Sequence, residues 1–382
     1  MNTSEKSTAL GAGRLTPHDV EGLLDFADGV LPTLRHRDGL FCFDRGFDSP
    51  ELRGVSVRYS ILVLLGLLRR RTTGRDFSID VEDLHRSIAS RVDTLDVGDL
   101  SLLLWAEVRM GAASAPVTLA RLARRSADQE RQGRLEGMEA AWFVLGTAEA
   151  TVAGLPAREQ FDAAYAHFRA RRSPSSPLFR HNATGRGRAR LPNFATQIYS
   201  LLALAETVRH GLAHDAEGAG RALAAKLIEL RLPDGGWPWL FHADRGSVVE
   251  RYEVYSVHQD AMAPMALFAL AEATGEQSYA RAAVEGFQWC FGNNELGFDF
   301  YDRANHFAHR SIKRRGWAHS ANLWTNTALG GVLGSAARTD AGGLEINATC
   351  RPYHLGWILE AWSGREHLNS LVAGEQTTEV VG

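Results

Sequence analysis

The chain has 382 residues, a formal net charge of -3, 45% hydrophobic residues and 23% charged residues. That composition describes a globular protein of one large domain or two medium ones, and its near-neutral balance gives no electrostatic basis for a nucleic-acid or anionic-membrane partner. Cys42, Cys290 and Cys350 are an odd number in a long chain, which argues against a disulfide framework.

Hydrophobic residues recur with a period near 3.6 along most of the chain, and period-two strand patterns scarcely occur. Residues 1–15 lack the charged-then-apolar pattern of a secretion signal, so a flexible N-terminus and a cytoplasmic location are expected. A helix over 17–34 starts with Thr16 and Pro17, a favourable N-terminal pair because proline lacks an N–H that the first turn would leave unused. The next, over 55–71, reads VSVRYSILVLLGLLRRR; Arg58 and the closing arginines make it a buried helix rather than a membrane span. Helices over 79–92 and 97–111 follow, with Ser78 and Asp96 as expected caps. Further helices fall at 115–131, 135–152 and 156–171, the first carrying Arg121, Arg124 and Arg125 on a solvated face.

The helical rhythm breaks at 172–191, resumes over 192–211 and 217–231, and breaks again at 232–254. The stretch from Asp234 to Asp260, DGGWPWLFHADRGSVVERYEVYSVHQD, is dense in aromatic, acidic and basic side chains. Helices over 255–273 and 277–291 come next, then a third interruption, 292–317, and helices over 318–335 and 351–363. Glycines at 74, 111, 211 and 275 mark helix ends. Residues 365–382 are expected to form a flexible tail.

Thirteen helices with short connections predict an all-α fold, an (α/α) toroid or barrel of about six helical hairpins in a single domain over 16–364. An open solenoid is the competitor, and no internal period supports it. Interruptions as long as these tend to be functional, and in a toroid they would gather at one mouth.

The turn LRLPDGGWPW after an alanine-rich helix, and the helix start PNFATQIYSLLALAE, resemble the toroids of terpenoid cyclases and protein prenyltransferases. The layout is equally similar to six-hairpin glycosidases, whose fold relatives include polysaccharide lyases and sugar epimerases. The glycosidase resemblance implies a funnel with aromatic platforms and acid–base groups acting on a glycan or glycoconjugate. Asp260 and Glu295 are the expected catalytic carboxylates, with His258 as proton shuttle. Trp237, Trp239, Tyr252 and Tyr255 are expected platforms. Gln259, Asn294, Asp299, Arg310, Arg314, Arg351, Tyr353 and His354 are further expected substrate contacts, the arginines suiting a carboxylate or phosphate. For each of these residues a structural role, in capping, core packing or a solvated face, competes with the functional one.

Three other readings stay open. The terpenoid-cyclase resemblance implies an alkene-protonating D-x-D-D motif. The sequence offers only DVED (Asp80 to Asp83) and DVGD (Asp96 to Asp99), both at helix starts where acids also serve as caps. Trp289-Cys290-Phe291-Gly292 resembles the W-C-x-G zinc motif of lanthipeptide cyclases, with Cys350 and His354 four apart as further ligands. A non-catalytic glycan-binding toroid would keep the aromatics without an acid–base pair. The expected partner is a small-molecule or oligosaccharide substrate, with no cofactor and no metal; oligomeric state is not legible.

Overall fold

The computed structural model describes residues 17–75, 77–131, 135–183, 187–316 and 339–365. Twelve α-helices occur among them: α1 (Pro17–Val30), α2 (Val57–Arg71), α3 (Val81–Ala89), α4 (Val97–Met110), α5 (Ala115–Arg131), α6 (Gly137–Val152), α7 (Arg158–Arg169), α8 (Phe194–Arg209), α9 (Ala216–Glu229), α10 (Ala263–Thr274), α11 (Gln277–Phe287) and α12 (Pro352–Trp362). The helix expected over 318–335, the flexible N-terminus at 1–15 and residues 366–382 of the expected flexible tail lie outside the described residues; Arg365, the first residue of that tail, is instead buried and paired with Glu272.

Six helices form a closed inner ring, α2–α4–α6–α8–α10–α12, with α12 packing back on α2. Outside it, α3, α5, α7, α9 and α11 pack on α2, α4, α6, α8 and α10, and α1 packs on α12. This is the (α/α)6 toroid.

Burial pattern explains which helices go inside. Every residue from Ala263 to Ala271 of α10 and from His354 to Trp362 of α12 is buried; a helix apolar all round needs cover on every side. In α3 only Val81, Leu84 and Ile88 are buried, a single stripe. The inner ring is also tight enough for backbones to touch. A Cβ on Gly66 of α2 would lie 2.0 Å from the Gly356 carbonyl oxygen of α12, and one on Gly146 of α6 would lie 2.3 Å from the Ser101 oxygen of α4.

Helix starts follow local chemistry. Asp96 caps α4 as expected, accepting the Asp99 N–H at 2.8 Å. For α3 the cap is Asp80 rather than Ser78, accepting Asp83 N–H at 2.8 Å, so the helix begins two residues later than expected. The helix expected over 255–273 is split. Tyr255 lies in a strand, His258–Met262 forms one π turn, and α10 begins at Ala263. Pro264 has no N–H to donate to residue 260, which suits a widened turn at that point.

Among the described residues ten short strands, scarcely visible in sequence, lie between the helices. β1 (Cys42–Gly46) lies between β2 (Leu52–Val55) and β10 (Thr349–Cys350). β3 (Leu240–His242) pairs with β4 (Ser247–Glu250), and β6 (Tyr301–Asp302) with β7 (Phe307–Ala308). β8 (Ser311–Arg314) lies between β5 (Val254–Tyr255) and β9 (Leu344–Asn347). All pairs are antiparallel. Runs of two to five residues are too short to show alternation in a sequence window.

Candidate active site

The first turns of the inner helices converge on a cavity of about 200 Å³. Arg58, Tyr59 and Leu62 of α2, Met138 and Trp142 of α6, Ala195 and Tyr199 of α8, and Tyr353 of α12 form part of its wall. His258 and Met262 of the π turn, Trp239 and Tyr255 from the second interruption, and Arg310 from the third complete it. The first interruption supports this arrangement from behind, where Arg180 and the Ser173 hydroxyl each bond Asp244 at 2.9 Å.

The wall is aromatic with two cations, and no carboxylate lines it among the described residues. Arg58 is held by acids behind the wall. It bonds Asp99 and, at 2.8 Å, Asp96, lies 3.6 Å from Glu139, and stacks 5.2 Å over Trp142. Burial would lower the Arg58 guanidinium, but Asp99, Asp96 and Glu139 outweigh it and leave it raised. Burial lifts Asp99 above the usual carboxylate range against the pull of Arg58. Glu139 is pushed up to about 7 by burial and by the nearby Asp96 charge. Gly98 permits this crowding, since a Cβ there would lie 2.9 Å from Glu139 Cγ.

Arg310 is different. It has no ion-pair partner among the described residues, and its buried Nη1 makes no hydrogen bond. It sits 4.9 Å over the Tyr255 ring. Burial opposes its charge, yet Tyr353, Tyr255 and Glu253 hold its pKa above the ordinary value.

His258 stacks nearly parallel to Trp239, with 6.1 Å between centroids, and packs on Phe194 at 4.7 Å and Tyr255 at 5.0 Å. Burial, then the Arg310 and His354 charges, push its pKa down to about 3, so the ring is neutral through the physiological range. Its Nδ1 has no hydrogen-bond partner. The buried Arg310 Nη1 and His258 Nδ1, each without a hydrogen-bond partner, are polar groups in one wall that a ligand would satisfy.

Of the expected site residues, the structure therefore brings His258, Trp239, Tyr255, Arg310 and Tyr353 to one cavity. The others lie elsewhere. Asp260 and Glu295 do not face one another across a cleft. The fully buried Asp260 carboxylate accepts from Tyr301 OH at 2.6 Å, Cys290 Sγ at 3.2 Å and His354 Nε2 at 2.9 Å. Glu295 accepts from Arg251 Nε and Tyr252 OH, both at 3.0 Å. Each is a carboxylate that needed buried partners and found them in the core.

Trp237 is buried and stacks on Phe194, and Gln259 ties Trp237 N–H to the Tyr255 carbonyl. Asn294 and Asp299 bond backbone groups of their own loop. Arg314 pairs with Glu250. Arg351 stands beside the cavity, donating to Tyr59 OH at 2.6 Å. DVED caps the outer helix α3. Among the described residues the only close trio of metal-ligand types is Glu149, Glu206 and His210, so Cys290, Cys350 and His354 do not form a donor cluster.

Arg58, Tyr59, Met138, Trp142, Tyr199 and Met262 were not anticipated as wall residues. The signal available was Arg58 itself, a charge in the first turn of a helix whose middle, Ile61 to Leu68, is apolar.

No protein-family model matches the sequence, and no curated protein matches it. Solved structures do resemble it over nearly full length. A possible member of the GH105 family from Salmonella enterica aligns with 97% of each chain, TM-score 0.58 and 11% identity. A sugar epimerase from a ruminal bacterium covers 93% of this chain and 98% of its own, TM-score 0.58 and 11% identity. An unsaturated glucuronyl hydrolase responsible for glycosaminoglycan degradation, from a Bacillus species, covers 94% and 98%, TM-score 0.56 and 14% identity. The chain has the six-hairpin glycosidase toroid fold. No helix among the described residues is long and apolar enough to cross a membrane.

Proposed function

We propose that this chain, as a single toroid domain over 16–364, is a carbohydrate-active enzyme that moves a proton at a carbon beside a carbonyl or carboxylate of a saccharide. That step is shared by epimerases and by lyases. The observation that carries the reading is the pairing of a neutral, unpartnered His258 with an ion-pair-free Arg310 in an aromatic wall that lacks carboxylates among the described residues. Fold likeness to glycoside hydrolases and to a sugar epimerase supports the substrate class, although fold does not fix reaction.

In this mechanism Arg310, with Arg58 on the opposite helix start, binds the carbonyl or carboxylate oxygen. His258 takes the proton from the adjacent carbon, and the C–H electron pair moves into a new C=C bond while charge gathers on the oxygen that arginine holds. Return of a proton to the carbon gives the epimer; departure of a leaving group from the next carbon gives the unsaturated product. Burial is the larger cause of the low His258 pKa and the Arg310 charge the second; a bound anion offsets the second and so raises the basicity of the imidazole as substrate arrives. Asp260 positions His354 behind the wall.

A second reading is hydrolysis, favoured by Glu139 alone, whose pKa of about 7 is that of a competent proton donor. Incubation of the protein in D2O with hexoses, hexuronates and their disaccharides separates the two. The proton-transfer reading expects carbon-bound deuterium or a conjugated double bond in the product, and a loss of about 10²–10⁴-fold in rate for His258→Gln. Glycosidic cleavage with neither signature, abolished by Glu139→Gln and not by His258→Gln, overturns it.

A further inference from the structure

Five large hydrophobic side chains are exposed among the described residues, and three of them, Phe43, Phe47 and Val55, sit on or beside the β1–β2 hairpin. Val55 pairs with Cys42 and so lies on the other face of the hairpin from Phe43, whose own face is the candidate contact surface. Strand alternation sets the direction, with Cys42 in the core and Phe43, 42% exposed, turned outward. Across the ladder Cys42 faces Val55 and Asp44 faces Arg53, which places Gly54 opposite Phe43. Glycine there keeps any cross-strand side chain off the ring.

The Phe43 ring leads to the cavity. It stacks on Tyr59 with 5.4 Å between centroids and 13° between planes, and Tyr59 packs on Tyr353 at 4.6 Å. Tyr59 and Tyr353 are both cavity-wall residues. Arg351 fixes this path, its guanidinium 4.1 Å from the Phe43 centroid while it donates to Tyr59 OH. A clamped ring loses little conformational entropy when a ligand lies on it. The cavity, about 200 Å³, is smaller than the roughly 300–1,000 Å³ of sites that enclose a drug-sized ligand. One sugar ring fills it, so a longer substrate continues past its rim.

We propose that Phe43 is the platform of an outer subsite, which holds the saccharide unit next to the one in the cavity. The proposal rests on the saccharide reading above. The C–H face of a pyranose lies against the exposed side of the aromatic ring, with Arg351 beside it as a hydroxyl partner. The substrate is then at least a disaccharide.

Calorimetric titration tests this with glucose, galactose and galacturonate, and with cellobiose, lactose and digalacturonate, on wild type, Phe43→Ala and Phe43→Trp. For the sugar that binds, the disaccharide is expected to bind wild type about tenfold more tightly than its monosaccharide, an increment of the size aromatic stacking supplies. Phe43→Ala removes that difference and leaves the monosaccharide Kd within about twofold; Phe43→Trp keeps it. A disaccharide that binds wild type no better than its monosaccharide, or equal weakening of both by Phe43→Ala, overturns the subsite while leaving the saccharide reading intact. Binding of no saccharide by wild type overturns both.

Discussion

Glu139 closes the capping box at the start of α6, accepting the Glu136 backbone N–H at 3.2 Å, and also lies 3.6 Å from Arg58. Its side chain thus serves a helix terminus and the charge balance of the cavity wall together. Because its folded pKa of about 7 stands above the ordinary value of 4.5, the native state holds its proton more firmly than the unfolded chain does. Stability from that proton is complete below pH 4.5 and is lost as pH rises through about 7. Glutamine keeps the capping bond and cannot ionise. Glu139→Gln is therefore expected to raise Tm by about 2 °C at pH 8 and to leave it unchanged at pH 4; an equal effect at both, followed by scanning calorimetry, contradicts the assignment. The sequence showed that Asp96 and Asp99 suit a helix start, and Asp96 does cap α4. It could not show that they also grip Arg58 from another hairpin, because that contact spans about forty positions of chain. Asp260 misled for a related reason. Its neighbours His258 and Gln259 suggested a polar mouth, whereas a turn of about 100° per helical residue sends successive side chains to different faces, His258 to the cavity and Asp260 to the core.

At the scale of elements, the inner helices were legible because uniformly apolar stretches of helix length have to be enclosed, and most observed ends fall within two residues of the expected ones. Two shifted starts have local causes: Pro264 at the π turn, and Asp80 outcompeting Ser78 as a cap. The strands were not legible, since pairing supplied by partners far along the chain, such as β1 with β10, leaves little pattern in runs this short. Close backbone contact between inner helices makes a sharp prediction. Gly356→Ala sets a Cβ 2.7 Å from Val63 Cα and should cost about 3 kcal/mol. Gly218→Ala in α9 has nothing within 4 Å and should gain about 0.5–1 kcal/mol from reduced backbone freedom. Urea denaturation of both variants checks the contrast; equal effects would mean that α2 and α12 are not packed at backbone distance.

For the whole molecule, ring closure is what makes the site. First turns of α2, α6, α8 and α12 and the π turn meet at one end of the toroid, and the positive ends of helix dipoles there favour an oxygen anion. Three acids already balance Arg58, so the uncompensated charge at the centre belongs to Arg310. The fold class could be read from helix number and connection length. Site membership could not, because the wall draws on helix starts and two interruptions that only ring closure brings together. The most direct test of the cavity as the saccharide site is the affinity, by calorimetry, of Arg310→Met for the saccharide that binds wild type. This variant keeps side-chain bulk and removes the charge. The account predicts a loss of at least about tenfold, the scale of a hydrogen bond to a charged group; unchanged affinity would place saccharide binding elsewhere and contradict it.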